Sequence, residues 1–281
     1  MRTIDSSVIR DRVVEAYRKL SFELDGRLLE SLKEAKQRER EEAAQMVLQD
    51  ILDNAEIARA ELIPPCQDTG TQVFFVELGQ EVLITGKALE VTVNEAVSIA
   101  SRENYLRASI VRDPLYDRTN TQDNNPAVFH VKLVPGESLS ITIAQKGGGA
   151  ENMSRLYMMS PVSTEQDIID TVLKTVIEAG AKACPPVILG IGIGGNFETA
   201  PLMAKKALMR ELGTPNTNIR YAELEKKILA RLNESGIGAQ GLGGLTTALA
   251  VHIENAACHI ASLPLAVNIQ CHAHRHIRIE L

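Results

Sequence analysis

PPVILGIGIGGN, residues 185–196, narrows the fold of this chain more than any other stretch. Two prolines precede an apolar run without polar alternation, which reads as a buried-type strand, and the glycines that follow read as a turn. The helix ETAPLMAKKAL comes next. Ahead of it, TEQDIIDTVLKTVIEAGAKAC is an amphipathic helix that starts at Thr164, has capping-box-like Gln166 or Asp167 nearby, and ends at Gly180. Helix, buried strand and helix in succession point to sheets packed with helices.

The rest of the sequence extends that reading to an α+β fold. From Ser6 to about Ile63 apolar residues recur at helical spacing, as in Val47, Ile51, Ala55, Ala58 and Leu62, and neither Pro nor Gly interrupts Arg27 to Ile63. The spacing predicts two or three helices over 1–63, with the mixed-charge run KQREREE (Lys36 to Glu42) on a solvated helix face. QVFFVEL and EVLITG read as a strand pair, and TVNEAVSIASREN as a helix capped by Thr92 or Asn94. AVFHVKL and SLSITIAQK flank the turn VPGES, and the pattern predicts that they form an antiparallel hairpin. YAELEKKILARLNESG is a further helix, whereas periodicity leaves LTTALAVHIENAACHIA open between helix and strand. Neither repeat nor linker is visible, so residues 1–281 are expected to form a single domain.

Composition excludes several classes of function. A formal net charge of −6, no Trp and only five Phe give neither the basic field nor the stacking surface that nucleic-acid binding needs. The first twenty residues hold no continuous apolar segment, and nowhere do eighteen apolar residues run together, so neither a membrane span nor a leader is expected. The expected compartment is the cytoplasm. There the four cysteines, Cys66, Cys184, Cys258 and Cys271, read as buried thiols, metal ligands or nucleophiles rather than disulfide partners.

Two glycine motifs raise the question of anion binding. Gly190, Gly192 and Gly195 satisfy G-x-G-x-x-G between a strand and a helix, the form of a dinucleotide cradle, but no further βαβ units flank it. KGGG, Lys146 to Gly149, could turn backbone N–H groups toward a carboxylate or phosphate with a lysine beside them, or could be a flexible hairpin exit. There is no P-loop pattern.

Cys66 lies in PPCQDTGT, Cys184 in KACPPV and Cys271 in IQCHAH, each at a segment end beside Pro or polar residues, while Cys258 lies among small residues in NAACHIA and reads as a core thiol. More than eighty residues separate the first three, so C-x-x-C zinc or ferredoxin spacing is absent and convergence would have to come from the fold. CHAHRHIRIEL offers a rival zinc or nickel site, because an extended chain would align His272, His274 and His276 on one face. A Cys66–His259 hydrolase is a third reading, without a local signature to support it.

PPCQDTGT, NYLRASIVRDPL, KGGGAENMSRL, CPPVILGIGIGGN and CHIASLPLAVNIQC, in this order, resemble the α-subunit, or N-terminal half, of class I fumarases and the related L-tartrate dehydratases. The resemblance runs from about residue 10 to the C-terminus. It implies an N-terminal-domain-like fold of that family and an oxygen-sensitive [4Fe-4S] cluster held by Cys66, Cys184 and Cys271, with one iron left open and Cys258 excluded. Such an iron suits elimination of water from a 2-hydroxy acid, because hydroxide is a poor leaving group without a Lewis acid.

The same resemblance assigns Asp68 and His259 to catalysis and Gln67, Arg107, Gly148 and Gly149 to binding the substrate. Asp68 would accept a hydrogen bond from the substrate hydroxyl, Arg107 would grip a carboxylate, and the two glycines would offer backbone N–H groups to the same anion. Single-chain relatives carry a second domain, and this chain stops at Leu281. A separate β-subunit and an α2β2 assembly are therefore expected, with malate and fumarate as substrates, tartrate as the alternative, and a non-catalytic zinc protein using the histidine tail as the reading from another class.

Overall fold

The computed structural model describes residues 1–281. In chain order its elements are β1 (Arg2–Asp5), α1 (Ser6–Phe22), α2 (Gly26–Arg38), α3 (Glu42–Glu61), β2 (Thr71–Gly79), β3 (Val82–Thr85), α4 (Leu89–Glu103), β4 (Val128–Val134) and β5 (Leu139–Lys146). They continue with α5 (Gly148–Met153), β6 (Arg155–Met159), α6 (Glu165–Ala179), β7 (Val187–Gly194), α7 (Thr199–Ala207), α8 (Ile219–Asn233), β8 (Ala248–Ala256), β9 (Leu263–Gln270) and β10 (Arg275–Glu280). Helices and mixed sheets make this the expected α+β fold. Two compact units carry them: Met1–Leu24, Ala55–Gly148 and Arg275–Leu281 form the first, Asp25–Asn54 and Gly149–His274 the second. No helix is long and apolar enough to cross a membrane.

In the first unit a four-stranded sheet runs in the order β10-β5-β2-β4, beside a parallel pair of β1 and β3. α1 starts where the Asp5 carboxylate accepts the Ser7 N–H at 2.8 Å. Its apolar stripe, Ile9, Val13, Tyr17 and Leu20, meets Val93 and Val97 of α4 and Phe74, Ile141 and Ile143 of the sheet. α4 begins earlier than its sequence suggests. Thr92 lies inside it, its hydroxyl donating to the Ala88 carbonyl, and Asn94 instead accepts the Ala127 N–H at 3.0 Å.

The sequence pattern joins β4 and β5 as a hairpin, but the structure separates them. β4 lies parallel to β2 and β5 antiparallel to it, so β2 stands between the two. The reason lies in the turn after β4, which wraps across the end of β2. Gly79 N–H donates to the Ser138 carbonyl at 2.7 Å and Gln80 N–H to Val134 at 2.9 Å. Gly79 permits this approach, since a Cβ there would lie 2.3 Å from the Gly136 carbonyl oxygen. β2, with Val73, Phe74 and Val76 buried, takes the centre, and the more exposed β4 takes the edge.

In the second unit the sheet order is β6-β9-β7-β8, with β7 parallel to β8 and antiparallel to β9. Leu189, Ile191 and Ile193 of β7 pack with Ile169, Val172 and Val176 of α6 and with Ile228 and Leu232 of α8. The opposite face of β7 is glycine from Gly190 onward, and α7 lies directly on it. A Cβ at Gly190 would come within 2.0 Å of the Ala204 carbonyl oxygen, and one at Gly192 within 2.2 Å of that of Ala200. The segment that periodicity left open becomes β8 and the loop after it.

The break between α2 and α3 is made without Pro or Gly. Lys36 to Glu42 is not a continuous solvated face, because Glu39 is only 3% exposed. One carboxylate oxygen of Glu39 accepts the N–H groups of Arg40 and Glu41 at 2.9 and 3.3 Å, the other that of Leu245 at 2.7 Å. The helix ends because this buried anion takes the amides that would otherwise continue it. Glu39→Gln turns one acceptor into a donor facing a donor, and should lower stability by about 2 kcal/mol, read as a lower urea midpoint with an unchanged slope.

Candidate active site

In the first unit, the loop from Cys66 to Gly70 leads into β2. Asp68 N–H donates to Cys66 Sγ at 3.4 Å. The Asp68 carboxylate then holds two backbone amides, Gly70 N–H at 2.9 Å on Oδ1 and Gly148 N–H at 2.7 Å on Oδ2. Gly70 has φ +71°, and a Cβ on it would lie 2.4 Å from the Lys146 carbonyl oxygen, so only glycine lets the loop lie against the end of β5.

Behind this loop sits Arg275, 3% exposed, whose Nη2 donates to the Asp68 carbonyl at 2.6 Å. Arg107 is exposed but anchored through its own carbonyl, which accepts from Thr69 Oγ1 at 2.8 Å and from Asn124 Nδ2 at 3.2 Å. Asn124 is fully buried and also accepts the Ser109 N–H at 2.7 Å. Gln67 is exposed beside Cys66. Lys146 is buried, so the lysine of KGGG is not a surface charge waiting for an anion.

The first unit thus brings Cys66, Asp68 and Gly148 together and fixes Arg107 to the same loop through Thr69. Gly148 N–H and the Asp68 carboxylate are bonded to each other, so of the two amides expected to meet an anion, only that of exposed Gly149 is not already given to Asp68. Asp68→Asn should remove one of the loop's two amide anchors, about 1–3 kcal/mol of local stability, and hydrogen exchange at Gly70 and Gly148 should quicken tenfold or more.

In the second unit, Cys184 and Cys271 are backbone neighbours. His272 N–H donates to the Cys184 carbonyl at 3.3 Å, just beyond the point where β7 and β9 pair Ile188 with Gln270. Cys184 occupies the left-handed region at φ 53° and ψ 63°, rare for a residue with a side chain. His272 Nδ1 lies 3.0 Å from that carbonyl and 3.0 Å from Gln240 Nε2, so it can donate to the first or accept from the second, but not both. Burial holds His272 below the usual imidazole value, with the bond to Cys184 opposing in part. Gln240 also donates to the Pro185 carbonyl at 2.9 Å and so braces the segment after Cys184.

His259 lies exposed on the loop after β8, where its Nδ1 accepts the Ala261 N–H at 3.1 Å. The neutral ring therefore carries its proton on Nε2 and presents a donor, which suits assistance to a leaving or binding oxygen better than activation of a thiol. Cys258 is exposed rather than in a core, its Sγ donating to the Ser262 carbonyl at 3.2 Å. Cys66, Cys184 and Cys271 are each half-buried.

The rival readings lose their geometry. His274 is buried with Nε2 2.9 Å from the Leu208 carbonyl, His272 faces Cys184, and the strand begins only at Arg275, so the three tail histidines do not line one face. The G-x-G-x-x-G turn makes no cradle either. Its glycines are filled by α7, and the following amides are taken, Glu198 and Thr199 N–H by Asn196 Oδ1 and Asn196 N–H by Thr199 Oγ1.

No three His, Cys, Asp or Glu side chains surround a common point that could hold one ion. A single ion would draw its sulfurs within about 4 Å of one another, whereas in a cluster each thiolate binds a separate iron. Half-buried free thiols, one of them receiving an amide N–H, are of the donor type that iron-sulfur ligation uses.

The family described as Fumerase, fumarate hydratase, matches residues 10–280. The chain belongs to the fumarate hydratase family. It is 39% identical over 274 residues to a Methanocaldococcus jannaschii protein provisionally named L(+)-tartrate dehydratase subunit alpha, with 95% of each chain covered. It is 32% identical over 260 residues to the L(+)-tartrate dehydratase subunit alpha of Escherichia coli strain UTI89, covering 91% of this chain and 85% of that one. The same subunit of Shigella boydii is 31% identical over the same shares. The chain is therefore a member of a family of hydro-lyase α-subunits, whose names diverge on the acid they act upon.

Sequence reasoning passed over Arg275, Gln240 and Asn124. For Gln240, a polar residue in a glycine-rich loop, nothing in the sequence announces a brace behind Cys184.

Proposed function

We propose that this chain is the α-subunit of an iron-sulfur hydro-lyase that interconverts L-malate and fumarate in the cytoplasm, with a separate β-subunit in an α2β2 assembly. The observation that carries this reading is the Cys66 loop of a fumarate hydratase family member, where one short segment supplies a thiol with an amide on its sulfur and a carboxylate two residues away. Cys66, Cys184 and Cys271 would hold a [4Fe-4S] cluster, which supplies a Lewis-acidic iron for the departing hydroxyl. The chain's own residues do the rest. Arg107 grips a carboxylate with its guanidinium fork and Gly149 offers its N–H to the same anion. Gln67 lines the substrate next to Cys66. Asp68 has lone pairs beyond its two amide bonds and accepts from the substrate hydroxyl, while His259 donates from Nε2.

The names of the relatives favour a second reading, L-tartrate dehydratase, which differs by one substrate hydroxyl. Anaerobic co-expression with the β-subunit and comparison of kcat/KM for L-malate and L-tartrate tests both. A malate preference of a hundredfold or more is expected. The reverse preference establishes the second reading, and a complex that binds iron and sulfide yet turns over neither acid defeats both.

A further inference from the structure

The outer edge of the first unit's sheet is unfinished. β4 has a strand neighbour on one side only, β2. Phe129 packs against the core, and alternation puts Val131 and Leu133 on the same face, yet these two are 49% and 69% exposed. Proteins guard such edges with prolines, bulges or charges. β4 offers one lysine, Lys132, on its other face.

The sequence of the strand says what covers it. VFHVKLV reads nearly the same in both directions about Val131: Val128 mirrors Val134, Phe129 mirrors Leu133, and His130 mirrors Lys132 as the one polar pair. A two-fold contact requires that residue i meet residue j while j meets i. Antiparallel pairing of two β4 strands centred on Val131 meets that condition with apolar residues opposite apolar ones throughout the core-side face. We propose that β4 is the surface through which two copies of this chain associate, joining two four-stranded sheets into one.

In that arrangement Val131 faces its own copy, Leu133 lies against Phe129 of the second molecule, and the core layer continues across the axis. The outward N–H and C=O groups of β4 gain ladder partners. His130, stacked on Phe75 with ring centroids 5.2 Å apart, comes opposite Lys132, a pairing that adds no attraction. Seven paired residues fall short of the roughly 1,200 Å² of a stable interface. The dimer of the chain alone should therefore be weak, with a dissociation constant on the order of micromolar.

Full-length chain in a Cys258→Ser background tests the proposal, both alone and with its β-subunit. Val131→Cys should form a covalent homodimer under mild oxidation, because the axis sets residue 131 opposite itself, whereas Val128→Cys should not. Val131→Lys should sediment as a monomer at about 100 µM, where the parent chain is a dimer, with an unchanged far-UV circular dichroism spectrum. A parent chain that is monomeric at that concentration in both settings, a Val131→Cys variant that cross-links no better than Val128→Cys, or one that cross-links to the β-subunit instead overturns it.

Discussion

Replacing Gly190 with alanine should destabilise the chain by roughly 3 kcal/mol or more, one of the largest effects expected of adding a single methyl group. The new Cβ would come within 2.0 Å of the Ala204 carbonyl oxygen and 2.8 Å of Leu208 Cγ, so α7 would have to leave the sheet. Neither obstacle is the tip of a flexible side chain. Gly192→Ala should behave alike, since Ala200 blocks it at 2.2 Å. Thermal melts should show a midpoint lowered by about 6–12 °C. Gly26→Ala is the contrasting control: nothing lies within 4 Å of the added atom at the first position of α2, and stability should rise by up to about 1 kcal/mol. A Gly190→Ala protein that melts with the parent would mean that α7 does not rest on β7.

On the proposed function, Cys66→Ser, Cys184→Ser and Cys271→Ser should each leave anaerobically prepared protein without iron and sulfide and without the visible absorbance that air bleaches. Hydration by the complex should fall at least a thousandfold, equivalent to about 4 kcal/mol of barrier. Serine is a harder, far less acidic ligand, so each substitution deletes one iron–thiolate bond with little change in shape. Cys258→Ser should keep full colour and iron, because its thiol is exposed and bonded to the Ser262 carbonyl. Loss of colour in Cys258→Ser, or its retention in any of the other three, would break the ligand assignment.

Local patterning made much of the fold legible. The stripe of α1, the capping box at Thr164 and the apolar run of β7 each follow from side-chain spacing that tertiary structure did not override. The pairing of β4 with β2 was not legible, because it depends on a turn wrapping over Gly79, a contact between segments that no local pattern encodes. Glu39 was misjudged for a related reason: as one charge among several it resembles its exposed neighbours, and only Leu245 N–H, two hundred residues away, marks it as buried.

Around the site, the Cys66 loop announced itself through its prolines, glycine and polar residues, whereas Arg275 behind it did not, nor did Gln240, which braces the segment after Cys184 in the second unit. Arg275 and Gln240 act through backbone carbonyls, which have no side-chain identity for a sequence pattern to register. The glycine-rich turn after β7 shows the converse, a motif with a familiar form whose cause is the closeness of two backbones.

The bond from the Gly148 amide to an Asp68 oxygen latches the turn that leaves β5 to the loop that enters β2. Neither segment can drift without pulling the other along, so two stretches eighty residues apart in the chain move as one piece.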